Sequence, residues 1–165
     1  MKYEFSPIGI VHSSWSEPAG VPIQGVFAEG ATGTIEVFPE CAEGLADLAG
    51  FSHIILLYFF HRSRGCALTC RPFLDDRNRG VFATRAPRRP NPIGMSTVRL
   101  LGVDGRVLRI ADVDIVDGTP LLDIKPYIPD FDVRDNVQTG WYATARHRQT
   151  VADTRFAGND VKEVP

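Results

Sequence analysis

Residues 95–116 read MSTVRLLGVDGRVLRIADVDIV, and this stretch decides the fold. Two runs rich in β-branched and aliphatic residues, 95–103 and 106–116, flank Asp104-Gly105. An Asp-Gly pair between two such runs is a strong hairpin signal, because a two-residue type I′ turn needs positive φ at both positions. We therefore predict two antiparallel strands here, joined by a type I′ turn at Asp104-Gly105.

Strand-like composition recurs along the chain in segments bounded by Gly, Pro, Asp or Asn. The further predicted strands are residues 3–11, 33–38, 52–60 and 80–84. Only residues 40–48 and the chain after Gly140 look helical, and both are short. Strands that follow one another without intervening long helices favour an antiparallel sheet over a doubly wound one. We predict an all-β fold, either an antiparallel barrel or a sandwich.

The composition is that of one compact domain. The chain has 165 residues, of which 44% are hydrophobic and 23% charged, and this is enough to bury a substantial core. Its most apolar run, residues 54–60, is far shorter than the ~20 residues of a membrane-spanning helix, and its first residues lack the pattern of a secretory signal. Three cysteines do not resemble a disulfide framework. We expect a soluble, cytoplasmic protein with no membrane partner.

Several classes of site lack their motifs. The sequence has no GxGxxG after a strand, no GxxxxGK[ST], no GxSxG and no HExxH. Cys66 and Cys70 with His61 could form half of a zinc site, but structural zinc normally takes four ligands from paired units. Asp112 and Asp114 would share one face of a strand and could hold a hard cation, yet no further oxygen ligands converge on them. We expect no metal.

The segment at residues 85–94, RAPRRPNPIG, contains three arginines and three prolines in ten positions. Proline fixes φ and disfavours helix in the residue before it, so we predict a stiff loop. From Arg62 to Arg99 nine arginines stand against two aspartates, a local balance of +7 in a chain of net charge −2. Guanidinium groups contact phosphate or carboxylate in a planar, bidentate manner. The alternative interpretation is a solvated basic surface.

Four other stretches carry polar or aromatic side chains that a β-core does not require. They are VPIQG (21–25), FFHRS (59–63), ADVDIVDGTP (111–120) and LLDIKPYIPD (121–130). Each stretch can also be interpreted as an ordinary turn or strand end. Together with the arginine loop they supply planar hydrogen bonding, positive charge and aromatic surface, as a nucleotide-like ligand or an RNA base requires.

In chain order, these motifs resemble the TsaA-like family, also called TrmO. The matching stretches are SPIGIVHS, VPIQG, LAGFSHIILLYFFH, GVFATRAPRRPNPIGMSTVRL, DIVDGTPLLDIKPYIP and GWY, within residues 5–142. The resemblance implies a single antiparallel β-barrel over residues 3–142, a tail at 143–165, and S-adenosylmethionine bound without a Rossmann fold. It also implies a homodimer with the cofactor near the subunit interface. The implied reaction is methylation of the N6 amino group of threonylcarbamoyl-adenosine at position 37, in the anticodon loop of tRNA.

Transferred by motif position, the resemblance implies individual roles. Cofactor contacts are expected from Ile23, Gln24, Gly25, His61, Arg62, Arg85, Met95 and Asp114. Catalytic or acceptor-side roles are expected for Asn91, Asp117, Lys125 and Tyr127, and contacts to RNA phosphate for Arg88 and Arg89. We predict that oxygens at Asn91-Pro92 accept from the exocyclic amine, which leaves its lone pair free to attack the methyl group. Asp117 would take the proton late.

Two features differ from longer bacterial relatives. Only 25 residues follow Gly140, including the basic ARHR at 145–148, where those relatives continue into an extra domain. Ile23 also stands where arginine is common. The chain resembles the shorter members, and cofactor binding transfers more directly than the substrate does. Two alternatives stay open: a methyltransferase of the same fold that acts on a small molecule, and a non-catalytic S-adenosylmethionine-binding module.

Overall fold

The computed structural model describes residues 3–145 and 149–156, and six of its strands close into a barrel. The strands are β1 (Gly9–Ser13), β2 (Thr32–Val37), β3 (His53–Phe59), β4 (Thr69–Cys70), β5 (Arg79–Gly80), β6 (Ile93–Asp104), β7 (Val107–Ala111) and β8 (Thr119–Pro126). The barrel order is β1-β2-β7-β6-β3-β8 with antiparallel neighbours, while β4 and β5 pair separately. The predicted all-β fold with a single antiparallel barrel is confirmed.

Helical structure in the described residues is short. The α-helix α1 spans Pro129–Asp132, and 3₁₀ helices span Gly25–Phe27, Pro39–Leu45, Leu48–Gly50, Val81–Ala83, Gly140–Thr144 and Thr154–Phe156. The two helical segments predicted from the sequence are therefore present, but as 3₁₀ turns. In these ranges no helix has the length and hydropathy needed to cross a membrane. Residues 146–148, which include most of the basic ARHR, and residues 157–165 of the predicted tail lie outside the described residues.

The β6-β7 hairpin has a different turn from the one predicted. Asp104 pairs with Val107, so the two turn residues are Gly105 and Arg106. Gly105 has φ of 57°, whereas Arg106 has no positive φ. Positive φ at the first central position alone is the pattern of a type II′ turn, which needs only one glycine. The hairpin is confirmed, and the type I′ assignment to Asp104-Gly105 was wrong.

Aliphatic side chains fill the barrel interior. Along β3, Ile54, Leu56 and Tyr58 are buried, and the residues between them face outward. The buried core cluster comprises Val11, Ile35, Val37, Leu48, Ile54, Leu56, Tyr58, Val98, Leu108, Ile110, Val113, Ile115 and Leu121. Full burial of one such aliphatic side chain contributes about 2 kcal/mol. The buried aliphatic side chains therefore stabilise the barrel, and the outer surface and the barrel ends remain available for binding.

Strand ends converge at one end of the barrel, which we call the motif end. There Phe59 at the end of β3 pairs with Ile93 at the start of β6. At the same end, Val11 of β1 pairs with Thr119, the first residue of β8. Connections leaving these strand ends carry most of the sequence motifs, so a rigid scaffold brings them together.

Two predicted strands, residues 80–84 and 106–116, end early because of local contacts, and the strand predicted over residues 3–11 begins only at Gly9, as β1. Residues 80–84 form only the last residue of β5 and then a 3₁₀ turn, closed by the backbone N–H of Thr84 donating to Val81 O at 3.1 Å. Strand β7 ends at Ala111, because Asp112 adopts a positive φ of 65°. Asp112 and Asp114 therefore do not share a strand face, and that expectation was wrong.

Candidate functional site

A cavity of about 880 Å³ lies at the motif end, within the size range of small-molecule sites. Its walls come from eight separated segments: residues 18–27, 58–63, 72–74, 82–89, 93–95, 114–119, 139–142 and 152–156. Eight of the predicted site residues line it, namely Ile23, Gln24, His61, Arg62, Arg85, Arg89, Met95 and Asp114. Gly25 lines an adjoining cavity of about 490 Å³, whose walls also include Gln24, Arg85, Met95 and Asp114. The fold thus brings the expected cofactor contacts together.

Arg85 joins two of the cavity loops. Its Nη1 donates to Gln24 Oε1, while Gln24 Nε2 donates to the carbonyl of Ile23 at 2.5 Å. A guanidinium has five N–H donors in a fixed fork, so the exposed Arg85 retains donors for an anionic group. Arg89 instead donates to loop carbonyls, at 3.2 Å to Thr84 O and 3.5 Å to Ala86 O. It thereby holds the arginine loop in shape.

Asp114 has an unpaired carboxylate oxygen in the cavity wall. Its Oδ1 is shielded from solvent and makes no hydrogen bond with the described residues. Burial raises the pKa of Asp114 to about 6, while hydrogen bonding from Ser96 and Gly25 and the charge of Arg85 oppose that rise. An unpaired buried acceptor is costly, so this oxygen is suited to a hydrogen-bond donor or cation supplied by a ligand.

Ser96 and Tyr58 continue the polar contacts of Asp114 into the barrel interior. The Tyr58 hydroxyl lies 3.0 Å from Ser96 Oγ, and burial strongly raises the pKa of Tyr58. Gly94 makes room for the ring, because a Cβ at this position would lie 2.2 Å from Tyr58 Cε2. The glycine of the PNPIG motif thus serves packing in the cavity wall.

Gly25 has a comparable packing role. A Cβ there would lie 3.1 Å from the carbonyl oxygen of Asp112 and 3.3 Å from that of Thr97. The backbone that approaches Gly25 this closely is the protein's own, in β6 and just after β7. This contact holds the VPIQG loop against the barrel beside Asp114.

The imidazole of His61 is positioned by Thr119. The Thr119 hydroxyl donates to Val116 O at 2.6 Å, so it accepts from His61 Nδ1–H at 3.3 Å. This places the proton on Nδ1 and leaves Nε2 as an acceptor. Burial, together with the charge of Arg62, lowers the pKa of His61. A neutral ring with a free acceptor nitrogen therefore lines the cavity at neutral pH.

Five predicted residues line neither cavity: Asn91, Asp117, Lys125, Tyr127 and Arg88. Asp117 accepts from the Ser13 backbone N–H at 3.1 Å and lies 3.3 Å from His12 Nδ1, and these contacts lower its pKa. The backbone carbonyls of Asn91 and Pro92 accept from Ile93 and Phe60 at 2.7 and 2.8 Å. The guanidinium Nε of Arg88 is buried without a partner among the described residues.

Lys125 and Tyr127 belong to the opposite end of the barrel. Lys125 pairs with Asp123 at 2.8 Å and lies six positions along β8 from Thr119 in the cavity wall. At strand spacing this is about 20 Å. Tyr127 packs near His53, with ring centroids 6.2 Å apart. The structure therefore gathers the cofactor set but not the acceptor set, whose roles stay predictions.

Carboxylates near the cavities show no metal geometry. Asp112 accepts from Arg99 Nε at 2.6 Å and from the Gly30 N–H at 3.1 Å, which lowers the pKa of Asp112. Within residues 3–145 and 149–156, no group of three His, Cys, Asp or Glu side chains is arranged to hold an ion.

Sequence reasoning missed the aromatic part of the cavity. Phe73, Trp141 and Phe156 line it, together with Tyr58. One available signal was a tyrosine with a polar hydroxyl inside the apolar run IILLYFF, since buried tyrosine usually needs a partner. No comparable signal marked Phe73 or Phe156, because their proximity depends on how the C-terminal segment folds back.

Comparison with known proteins places the chain in a family. Residues 10–133 match the family model described as the tRNA-methyltransferase O N-terminal domain. The chain belongs to this family. TrmO-family relatives include a Pyrococcus abyssi protein named "Probable S-adenosyl-L-methionine-binding protein", 56% identical over 154 residues that cover 92% of this chain and 84% of that protein. The Escherichia coli tRNA (adenine(37)-N6)-methyltransferase is 39% identical over 137 residues, covering 77% of this chain.

Solved structures agree with this family assignment. The crystal structure of TrmO from Pseudomonas aeruginosa matches with a TM-score of 0.72 at 39% identity, covering 85% of this chain and 62% of that one. The chain spans 58% of the length of the Escherichia coli enzyme. The TrmO barrel is therefore shared, while the longer relatives contain further residues.

Proposed function

We propose that this TrmO-family protein is an S-adenosylmethionine-dependent methyltransferase that modifies the N6 amino group of threonylcarbamoyl-adenosine at position 37 of tRNA. The observation that carries the proposal is that residues from separate motifs form one cavity around the unpaired Asp114 Oδ1 and the exposed Arg85. The names of the Escherichia coli and mouse relatives, both tRNA (adenine(37)-N6)-methyltransferases, support the reaction. The proposed substrate places the reaction in the cytoplasm.

The cavity fits the groups of S-adenosylmethionine. Asp114 Oδ1 accepts from a cationic or N–H group, and the Arg85 fork binds a carboxylate in a planar manner. Aromatic side chains such as Phe73 and Trp141 offer apolar surface for a purine. Bound here, the cofactor supplies an electrophilic methyl group on a sulfonium.

The protein's own residues then orient the acceptor and manage its proton. Most of the rate comes from holding acceptor nitrogen and methyl donor in line, since alignment of this kind replaces a bimolecular encounter. Ile93 and Met95, which are partly exposed, add apolar surface to the cavity wall. His61 Nε2, held as an acceptor by Thr119, takes the proton from the acceptor nitrogen. Asp117 lies outside the cavity, so His61 is the better-placed base.

The basic stretch supplies a surface for RNA. Arg62, Arg64, Arg71 and Arg77 are exposed, and guanidinium groups at such positions neutralise backbone phosphate. We propose that the anticodon loop approaches along this surface. Adenosine 37 would leave its stack at modest cost, because loop bases are less constrained than those in a duplex.

The test is a comparison of tRNA nucleosides from a deletion strain by mass spectrometry. We expect the N6-methyl mark to disappear and to return with the wild-type gene or with His12→Asn, an exposed histidine outside the cavity. His61→Asn should fail to restore the mark. Its S-adenosylmethionine affinity in calorimetry separates the two roles of His61: wild-type affinity assigns it as the base alone, and weakened affinity also assigns it as a cofactor contact. An unchanged tRNA profile would overturn the proposal. Methyl transfer to small molecules, or binding without any transfer, would then identify which of the two alternatives holds.

A further inference from the structure

The segment at residues 149–156 lies beyond the part of the chain that matches the family domain, yet it forms a wall of the cavity. The family match ends at residue 133. Ala152, Asp153 and Phe156 nevertheless line the cavity, and Trp141 adds a further contribution from outside the matched domain. Residues outside the shared domain therefore shape the site of this protein.

Backbone hydrogen bonds attach the segment to the VPIQG loop. Val151 forms an antiparallel bridge with Pro22. Around it, Gly20 N–H donates to Ala152 O at 2.9 Å, Ala152 N–H to Val21 O at 2.7 Å, and Ile23 N–H to Thr150 O at 2.9 Å. The segment thus extends the same loop that carries the expected cofactor contacts Ile23 and Gln24.

Arg155 attaches the segment to a second loop. Its guanidinium binds both oxygens of Asp153, with Nε 3.0 Å from Oδ1 and Nη2 2.7 Å from Oδ2. Nη1 donates to the carbonyl of Pro72 at 3.0 Å, and the group lies over the Phe73 ring, 4.8 Å from its centroid. Asp153 offsets the positive charge of Arg155, so this wall is suited to a neutral ring rather than to phosphate.

Aromatic rings are held in place along this wall. Phe156 meets Phe73 edge to face, with centroids 5.1 Å apart and an interplanar angle of 84°. The indole N–H of Trp141 donates to Ala83 O at 2.8 Å, which fixes the orientation of that ring. Rings in fixed orientations are the usual partners of nucleobases, whose flat faces stack on them.

We infer that residues 149–156, with Phe73 and Trp141, complete a subsite for an adenine ring. The inference rests on the proposed function, in which both the cofactor and the acceptor nucleoside contain adenine. The polar cluster of Gln24, Arg85 and Asp114 serves charged ligand groups, and the aromatic wall binds the purine.

Phe156→Ala tests the subsite in the full-length protein. We expect about a tenfold loss, as is typical when one stacking partner of a base is removed. If the ring comes from the cofactor, the Kd for S-adenosylhomocysteine measured by calorimetry rises by that factor. If it comes from the acceptor, that Kd is unchanged and the KM for tRNA rises instead. Phe156→Tyr should restore the wild-type value.

Phe131→Ala is the matched control, because Phe131 is 66% exposed and lies outside the cavity. It should change neither constant. Unfolding midpoints within a few degrees of wild type would show that both variants are folded. Wild-type Kd and KM in Phe156→Ala, or equal losses in Phe131→Ala, would overturn the inference. A loss of S-adenosylhomocysteine affinity in Phe156→Ala would support the subsite even if no tRNA were methylated, which separates this inference from the proposed function.

Discussion

The Asp114 side chain lowers the stability of the free protein when it is ionised, and the same side chain is suited to bind a ligand. Its Oδ1 is buried without a partner among the residues that the structure describes, and burial raises the pKa of the group to about 6. The positive charge of Arg85 and hydrogen bonding from Ser96 and Gly25 oppose that rise, and the charge of Asp114 in turn helps raise the pKa of the buried Tyr58. Ionisation of Asp114 therefore lowers stability in the free protein, and a ligand cation or N–H donor would offset that cost.

Asp114→Asn should separate stability from binding. The folded-state pKa lies above the ordinary value of 3.8, so the wild-type protein loses stability relative to the variant as pH rises from about 4 to 6. At pH 8 the variant should be more stable by up to about 3 kcal/mol, and at pH 4 the difference should vanish. Urea unfolding at both pH values measures this.

The affinity of the wild-type protein for S-adenosylmethionine should increase as pH rises, whereas its stability relative to the variant decreases. The wild-type affinity for S-adenosylmethionine should fall as pH drops below about 6, because protonation removes the negative charge that attracts a cationic or N–H group of the ligand. The affinity of Asp114→Asn should be at least about tenfold weaker at pH 8 and nearly independent of pH. A stability difference that is the same at pH 4 and pH 8 would show that the carboxyl titrates normally.

The sequence identified which side chains have suitable chemistry more accurately than it identified where those side chains lie in the fold. Asp112 and Asp114 are equivalent in a strand pattern, but β7 ends before both of them, at Ala111, because Asp112 has a positive φ. Asp112 then pairs with Arg99 on the surface, while Asp114 turns to the cavity. The alternating sequence pattern does not distinguish Asp112 from Asp114, because their different positions depend on a change of backbone direction that tertiary contacts fix.

The arginine loop at residues 85–94 and the VPIQG loop at residues 21–25 are connected by the hydrogen bond from Arg85 to Gln24. One loop is stiffened by prolines and by Arg89, and the other is held by Gly25 against the barrel. The pair forms a polar corner of the cavity beside Asp114. Loss of the contact should free both loops at once.

Arg85→Ala should abolish detectable binding of S-adenosylmethionine in calorimetry, because it removes both the anion-binding fork and the restraint on Gln24. Arg64→Ala is the control, since Arg64 is an exposed arginine of the same basic stretch that lines neither cavity. It should bind the cofactor as the wild type does. Wild-type affinity in Arg85→Ala would remove Arg85 from the site.

Strands were predictable where the pattern is repetitive, and turns were less so. The β6-β7 hairpin and the apolar β3 follow from alternation and composition. Residues 80–84 have the same composition but form a 3₁₀ turn, because Val81 is buried and the backbone N–H of Thr84 bonds back to it. Such short elements depend on contacts that are distant in sequence.

At the scale of the whole molecule, apolar side chains remain exposed beside the cavity. Phe59, Ile93 and Met95 project from the outer face of β3 and β6. Exposed apolar patches of this kind often mark a subunit contact. We propose that they contribute to the homodimer interface that the family resemblance implies.

Phe59→Arg should convert the dimer into a monomer, measured by light scattering as a halving of the molecular mass. Phe59 lies outside the cavity walls and is 39% exposed. Val107→Arg is the control, because Val107 is 38% exposed on β7, away from this patch. It should stay dimeric. A wild-type protein that has the mass of one chain at micromolar concentration would contradict the proposal.

The arrangement of the whole cavity was the least predictable feature. Motif order indicated which residues belong together, and the barrel explains why strand ends meet. The return of residues 149–156 to the Val21 loop involves pairing across more than 120 positions, with no repetitive pattern to mark it.

The closed barrel also has a consequence for how this protein can diversify. Its folding free energy comes largely from an aliphatic interior, whereas most cavity walls are loops and a C-terminal segment outside that interior. Substitutions in those loops can alter substrate preference while the scaffold keeps its stability. Within residues 3–145 and 149–156, only Tyr58 and Ile115 belong to both the core cluster and the cavity wall. Laboratory evolution of new methyl acceptors should therefore spare these two positions and the polar cluster of Gln24, Arg85 and Asp114, and sample the remaining loop positions.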